Sequence, residues 1–262
     1  MKMKFGMPTL IEYNSLEENM SLCNKLQLSF LELNMNFPYC LPENIDINKV
    51  KKLKDQYKLD FTMHFPEEID FGSPYIEIQK ANIDLFKRFL EYGSKLGVSK
   101  INIHVSSGVI TTLPHKKVYM YELELDNYIK RLKKALEMLV KLAYPYQIDV
   151  CVENTICPPF MKKVFLSLKD IEGLAFTYDT GHDAKENFIM DPIYQILGDK
   201  VKHMHLHDYD KITDHQILFK GIINIYERIE FAKRNNMTVL IEVKTIEALS
   251  KSVENLKMRH LF

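Results

Sequence analysis

Acidic and imidazole side chains recur in this sequence at the ends of short apolar segments, each on the polar side of an alternating pattern. In Lys100-Ile101-Asn102-Ile103-His104-Val105 the aliphatic residues alternate with Asn102 and His104, and in Asp149-Val150-Cys151-Val152-Glu153 the series that opposes the valines ends on Glu153. Ala175, Thr177 and Asp179 oppose Leu174, Phe176 and Tyr178. His203, His205 and His207 oppose Met204 and Leu206, and Thr238, Leu240 and Glu242 oppose Val239, Ile241 and Val243. Thr62 and His64 share one face of a further segment, as do Glu32 and Asn34. Successive side chains of a strand point to opposite faces, so each segment would present aliphatic groups to one layer and these polar groups to the other.

Singly, each residue has a plain reading: a buried histidine is commonly hydrogen-bonded, and a buried carboxylate pairs with Lys or Arg. No Lys or Arg stands at the C-terminal ends of these polar columns, so together the acids and imidazoles there favour a divalent cation. Carboxylates and imidazoles form a mixed oxygen and nitrogen shell suited to Mn²⁺, Mg²⁺, Co²⁺ or Zn²⁺, without the thiolates that would single out zinc. Cys151 lies one layer below Glu153 and reads as a small apolar filler.

Strands must bring these groups together. Short β-rich runs at residues 4–9, 29–34, 60–64, 100–105, 149–153, 174–179, 201–207 and 238–243 alternate with longer stretches of three- and four-residue apolar spacing, including 17–26, 76–96, 123–142, 222–234 and 246–256. Eight βα units in 262 residues predict a single (β/α)8 barrel domain spanning 1–262. Asn14-Ser15 is placed to cap the first helix. In such a barrel the polar columns face the interior, and their last members meet at the C-terminal mouth.

Composition narrows the partners. Lys+Arg and Asp+Glu are equal at 35 each, so no global field draws the chain to nucleic acid or to a membrane surface. The four cysteines form no CxxC pair, no secretory h-region opens the chain and no apolar run spans a bilayer, so a reduced, cytoplasmic setting is expected. The apolar Phe37-Pro38-Tyr39 stretch is placed either to pack locally, to cover a substrate or to meet a second subunit of a homo-oligomer.

Four pieces in order, Val152-Glu153-Asn154-Thr155, Tyr178-Asp179-Thr180-Gly181-His182, His203-Met204-His205-Leu206-His207-Asp208 and Ile241-Glu242-Val243, resemble the xylose isomerase-like superfamily of metal-dependent barrels. That superfamily includes sugar isomerases, sugar 3-epimerases and endonuclease IV. The resemblance implies that Glu153, Asp179, His205 and Glu242 hold a metal and that His182 contacts substrate. It also matches His64 and His104 to an additional metal position of the endonuclease branch, which places an Asp and a His near Asp214 and His215. Three features depart from the pattern, the first being that His215-Gln216-Ile217-Leu218-Phe219-Lys220-Gly221 keeps only the second glycine of the His-x-x-x-Gly-x-Gly loop of many relatives. Asp214 directly precedes His215, where the endonuclease branch has a one-residue spacer, and the loop after Glu153, Ile156-Cys157-Pro158-Pro159, lacks the extra Glu that epimerases use.

Two chemistries fit this resemblance. The first is isomerisation or epimerisation of a small sugar or sugar phosphate, with Glu153 and Glu242 exchanging protons through a metal-stabilised enediolate and Lys211 as a further possible substrate contact. The second is hydrolysis of a phosphodiester at abasic DNA, for which His64, His104, His182 and His215 speak. The zero net charge and the lack of a basic loop near the mouth weigh toward the sugar.

Overall fold

Strands whose two faces are both covered read as near-continuous apolar runs broken only by the inward polar columns, and the structure closes them into a barrel. The computed structural model describes residues 3–262. In chain order the elements are β1 (Lys4–Pro8), α1 (Leu16–Lys25), β2 (Phe30–Asn34), α2 (Ile47–Tyr57), β3 (Asp60–His64), α3 (Ile76–Leu96), β4 (Val98–His104), β5 (Ile110–Leu113), β6 (Lys116–Tyr119) and α4 (Met120–Leu123). There follow α5 (Leu125–Ala143), β7 (Asp149–Glu153), α6 (Met161–Leu168), β8 (Leu174–Asp179), α7 (Thr180–Lys185), α8 (Asp191–Leu197), β9 (Val201–Leu206), α9 (Ile225–Arg234), β10 (Thr238–Ile241) and α10 (Ile246–Met258). Eight parallel strands close in the order β1-β10-β9-β8-β7-β4-β3-β2, which is the (β/α)8 fold expected from the alternation.

Local chemistry sets the helix starts. Ser15 caps α1: its hydroxyl accepts from the Glu18 amide at 3.3 Å while the Glu18 carboxylate accepts from the Asn14 amide at 3.2 Å, a capping box displaced by one residue on its return bond. Asn224 caps α9, so this helix begins at Ile225 rather than at residue 222. The helix expected from 123 is divided, with α4 ending at Leu123 and α5 starting at Leu125. The antiparallel β5–β6 hairpin above β4 was not anticipated, because its four-residue strands are largely exposed and carry no inward column.

Two strand ends shift in a way that matters for the mouth. β9 stops at Leu206 and β10 at Ile241, so His207 and Glu242 stand in the turns just beyond their strands instead of inside them. The Glu242 amide still bonds to the Leu206 carbonyl at 3.0 Å, which holds that turn against β9. The opposite end of the barrel is filled by apolar volume: the Phe30 ring lies so close over Gly6 that a Cβ there would meet Phe30 Cε2 at 2.4 Å.

Candidate metal centre

Each putting forward one atom, Glu153 from β7, Asp179 from β8, His205 from β9 and Glu242 from the turn after β10 bring potential ligands within 4.8 Å of one another. His205 Nδ1 is the hub, lying 3.2 Å from Glu153 Oε1, 3.0 Å from Glu242 Oε2 and 3.9 Å from Asp179 Oδ2. All four residues are buried. Alternation along three strands thus brings Glu153, Asp179 and His205 into one layer, and the turn after β10 carries Glu242 to it.

Neighbouring groups orient these side chains. The Asn102 amide donates to Glu153 Oε2. Asn154 clasps the Asp179 backbone, accepting from its amide at 2.9 Å and donating to its carbonyl at 2.8 Å. Asp179 also caps α7, accepting from the His182 amide at 2.7 Å, and this pins one carboxylate oxygen.

Three carboxylates in so small a buried volume repel one another unless positive charge stands between them. Burial works against ionisation of Glu153, but the His205 and His104 imidazoles outweigh it and hold its pKa well below the ordinary value. For Glu242 burial is likewise outweighed, by Lys244 and His205. Burial disfavours a charged His205, yet Glu153, Glu242 and Glu32 raise its pKa well above 6.5. A proton on His205 thus does in this arrangement what a divalent cation would do better. Glu242 Oε2 remains buried without a hydrogen bond, and together with this donor set it fits a bound cation of the Mn²⁺, Mg²⁺, Co²⁺ or Zn²⁺ type.

Two further groups adjoin the centre. His64 Nε2 lies 3.1 Å from His104 Nε2, and these atoms are 3.5 and 3.7 Å from Glu153 Oε2. His64 Nδ1 faces the Phe65 carbonyl at 2.9 Å, so this nitrogen carries the proton in the neutral ring. Burial opposes a charge on either ring; contact with Glu153 nevertheless lifts His64 to about 9, whereas burial prevails at His104 and lowers it to about 4. On the other side His182, His207 and His215 form an imidazole trio. His207 Nε2 contacts Asp179 Oδ1 at 3.0 Å, His215 stacks on His207 with centroids 4.0 Å apart, and His182 Nδ1 lies 3.5 Å from Asp179 Oδ2.

The structure corrects one expectation and adds residues to the site. Lys244, absent from the inward columns, brings its Nζ to 2.9 Å from Glu242 Oε1, because the chain has left β10 and turned over the mouth. His207 was legible as the third imidazole of its column, but its contact with Asp179 depends on that turn. Asp214 does not join the imidazole trio: it faces His215 Nδ1 at 3.0 Å and Lys185 Nζ at 3.1 Å. Lys211 is exposed in the loop after β9. Phe37 lines a depression at the mouth with Thr9, Asn34, His64, Glu242 and Lys244, while the Tyr39 hydroxyl donates to the Leu10 carbonyl at 2.8 Å.

No helix among the described residues is long and apolar enough to cross a membrane. No curated protein sequence matches the chain at a significant level. Among solved structures, a D-tagatose 3-epimerase-like protein superposes with a TM-score of 0.79 at 22% identity, over 98% of this chain and 96% of its own. D-psicose 3-epimerase from Clostridium cellulolyticum, crystallised with D-tagatose, gives 0.77 at 16% identity over 99% of both chains. The IOLI protein with a bound zinc atom gives 0.75 at 15% identity, over 99% of this chain and 97% of its own. The family model described as xylose isomerase-like TIM barrel matches residues 23–258, nearly the whole length, and the chain belongs to that family.

Proposed function

We propose that this protein is a metal-dependent isomerase or epimerase of a small sugar or sugar phosphate. The observation that carries the reading is the set of three buried carboxylates and one imidazole, from four different strand ends, within shared ligand reach at the mouth. The fold likeness to structures titled as D-tagatose and D-psicose 3-epimerases supports the substrate class, and the zinc-bound IOLI structure supports a divalent metal.

Glu153, Asp179, His205 and Glu242 would hold the cation. When bound, it supplies Lewis-acid polarisation of a sugar carbonyl and its neighbouring hydroxyl, which acidifies the adjacent C–H. Glu153, ionised at neutral pH, takes that proton, and Glu242 returns one from the other side of the site. Protons reach Glu242 from its nearest donors, Lys244 Nζ at 2.9 Å and His215 Nε2 at 3.5 Å from Oε1. His64, His104 and His182 line the mouth and orient hydroxyls.

The test combines metal analysis of purified protein with a ketose panel run in D₂O. Epimerisation through a carbanion-like state incorporates deuterium at the reacting carbon, and Glu153→Gln removes both turnover and label. Stereochemical change without label uptake from solvent and without metal dependence would overturn the mechanism.

A second reading, phosphodiester hydrolysis at abasic DNA, draws on the two histidine groups flanking the central four residues. Abasic duplex belongs beside the ketoses for this reason. Nicking of that duplex by protein carrying about three metals would reverse the ranking.

A further inference from the structure

A histidine that ligates a metal uses one ring nitrogen, and the other keeps its proton and needs an acceptor that fixes the tautomer and the ring's aim. In His205 the nitrogen facing the three carboxylates is Nδ1. Its Nε2 is buried and makes no aligned hydrogen bond. The carboxylate of Glu32, on β2 across the barrel, stands 3.1 Å from that nitrogen.

Glu32 is itself held. Its Oε2 accepts from the Thr62 hydroxyl at 2.8 Å and lies 3.2 Å from His203 Nε2. His203 Nδ1 is in turn 2.6 Å from the Thr238 hydroxyl. A line of polar groups thus runs from β10 through β9 to β2 and back to β9, one layer beneath the centre. Only 1% of the Glu32 surface is exposed. A buried carboxylate is expensive, and an apolar side chain would fill the same volume at less cost to stability. Packing therefore gives no reason for an acid at this position.

We propose that Glu32 is a positioning residue for the metal centre, accepting from His205 Nε2 so that Nδ1 stays aimed at Glu153, Asp179 and Glu242. This rests on the metal reading above, and the role is distinct from that of the four ligands. Glu32 borders the floor of the depression that Asn34, His64 and Glu242 line, and in this role it acts through the imidazole, with Thr62 and His203 holding the carboxylate in place.

The experiment measures Zn²⁺ or Mn²⁺ affinity by competition with a chromophoric chelator, together with the melting temperature of the metal-free protein. Wild type is expected to bind a tight ion that Asp179→Asn loses; if it binds none, the metal reading itself fails. With that ion present, Glu32→Gln is expected to weaken affinity about 10- to 100-fold, the range typical of lost outer-shell partners. Thr62→Val, which frees one carboxylate oxygen while leaving the charge, is expected to weaken it by a smaller factor, and it carries the test if Glu32→Gln does not fold. Glu32→Asp is expected to recover part of the Glu32→Gln loss. Folded variants with wild-type affinity and only a lowered metal-free melting temperature would reduce Glu32 to a structural pair of His203 and overturn the proposal. So would a second ion in wild type that Glu32→Gln alone removes while the first stays tight, because Glu32, His203 and His205 would then be ligands themselves.

Discussion

The two ends of the barrel are built on opposite principles. At the base the Phe30 ring fills the axis over Gly6, Phe5 stacks on Phe262 with centroids 5.3 Å apart, and the rim pair Lys4–Asp60 closes at 2.5 Å in solvent. At the mouth Glu153, Asp179 and Glu242 crowd one imidazole, and Glu242 Oε2 and His215 Nε2 lack hydrogen bonds. The base is complete once folded, held by burial of apolar area. The mouth holds like charges that the rest of the fold must keep together, which the apolar base does not. Both ends use a glycine to admit a ring: a Cβ on Gly181 would stand 2.0 Å from His207 Cε1, as one on Gly6 would meet Phe30.

The largest expected effect lies at the mouth. Glu153→Gln should lower kcat on the responsive ketose by about 10²- to 10⁴-fold, the usual contribution of a positioned acid or base. Its melting temperature in chelator should fall only modestly, by what the ionised carboxylate gains from the His205 and His64 imidazoles less the repulsion it escapes from Asp179 and Glu242. A large loss of metal-free stability would mean that these acids are part of the folding core and would erase the contrast between the ends.

Phe30→Ala is the counterpart at the base. Truncating this buried ring should cost about 3–5 kcal/mol in denaturant unfolding while the metal stoichiometry of the folded fraction is unchanged. The glycines sharpen the comparison at smaller amplitude. Gly6→Ala should lose about 1–3 kcal/mol of stability with metal affinity intact. Gly181→Ala, which must push His207 away from Asp179, should weaken metal binding as well, as read by chelator competition. Equal effects of the two on metal affinity would show that the ends are not separable.

The smallest predicted effect is on pH dependence. The folded-state pKa of His64 is raised to about 9 and that of His205 lies well above 6.5, so their stabilisation is full below 6.5 and is lost as pH rises through the folded values. Glu153 and Glu242 are lowered, so theirs is present above 4.5 and lost as pH falls through the folded values. Metal-free protein should therefore melt progressively lower as pH rises from 6.5 toward 9 and beyond. A cation must displace the His205 proton, so the rise in melting temperature on adding metal should be greater at pH 9 than at pH 6. A metal-free melting temperature that stays flat from pH 6 to pH 10 would remove protonated imidazole as the mouth's stand-in charge.

Much of this site is local information. The two-residue period of a strand is a property of the backbone, so Glu153, Asp179 and His205 were assigned to the inward face without knowing what lay opposite, and the repeated βα pattern implied the ring that makes their strand ends meet. Glu32 was placed inside by the same rule, although nothing in its own segment says that His205 stands across the barrel from it. Features that depend on where a strand stops were decided by the tertiary structure: β10 ending at Ile241 is what turns Lys244 onto Glu242. His215 takes a left-handed backbone, φ 57°, which lays its ring on His207 and leaves Asp214 facing Lys185. Which histidine nitrogen meets which carboxylate was decided there too. Alternation specifies only the face; distances between strands, loop paths and ring rotations follow from contacts between residues far apart in the chain.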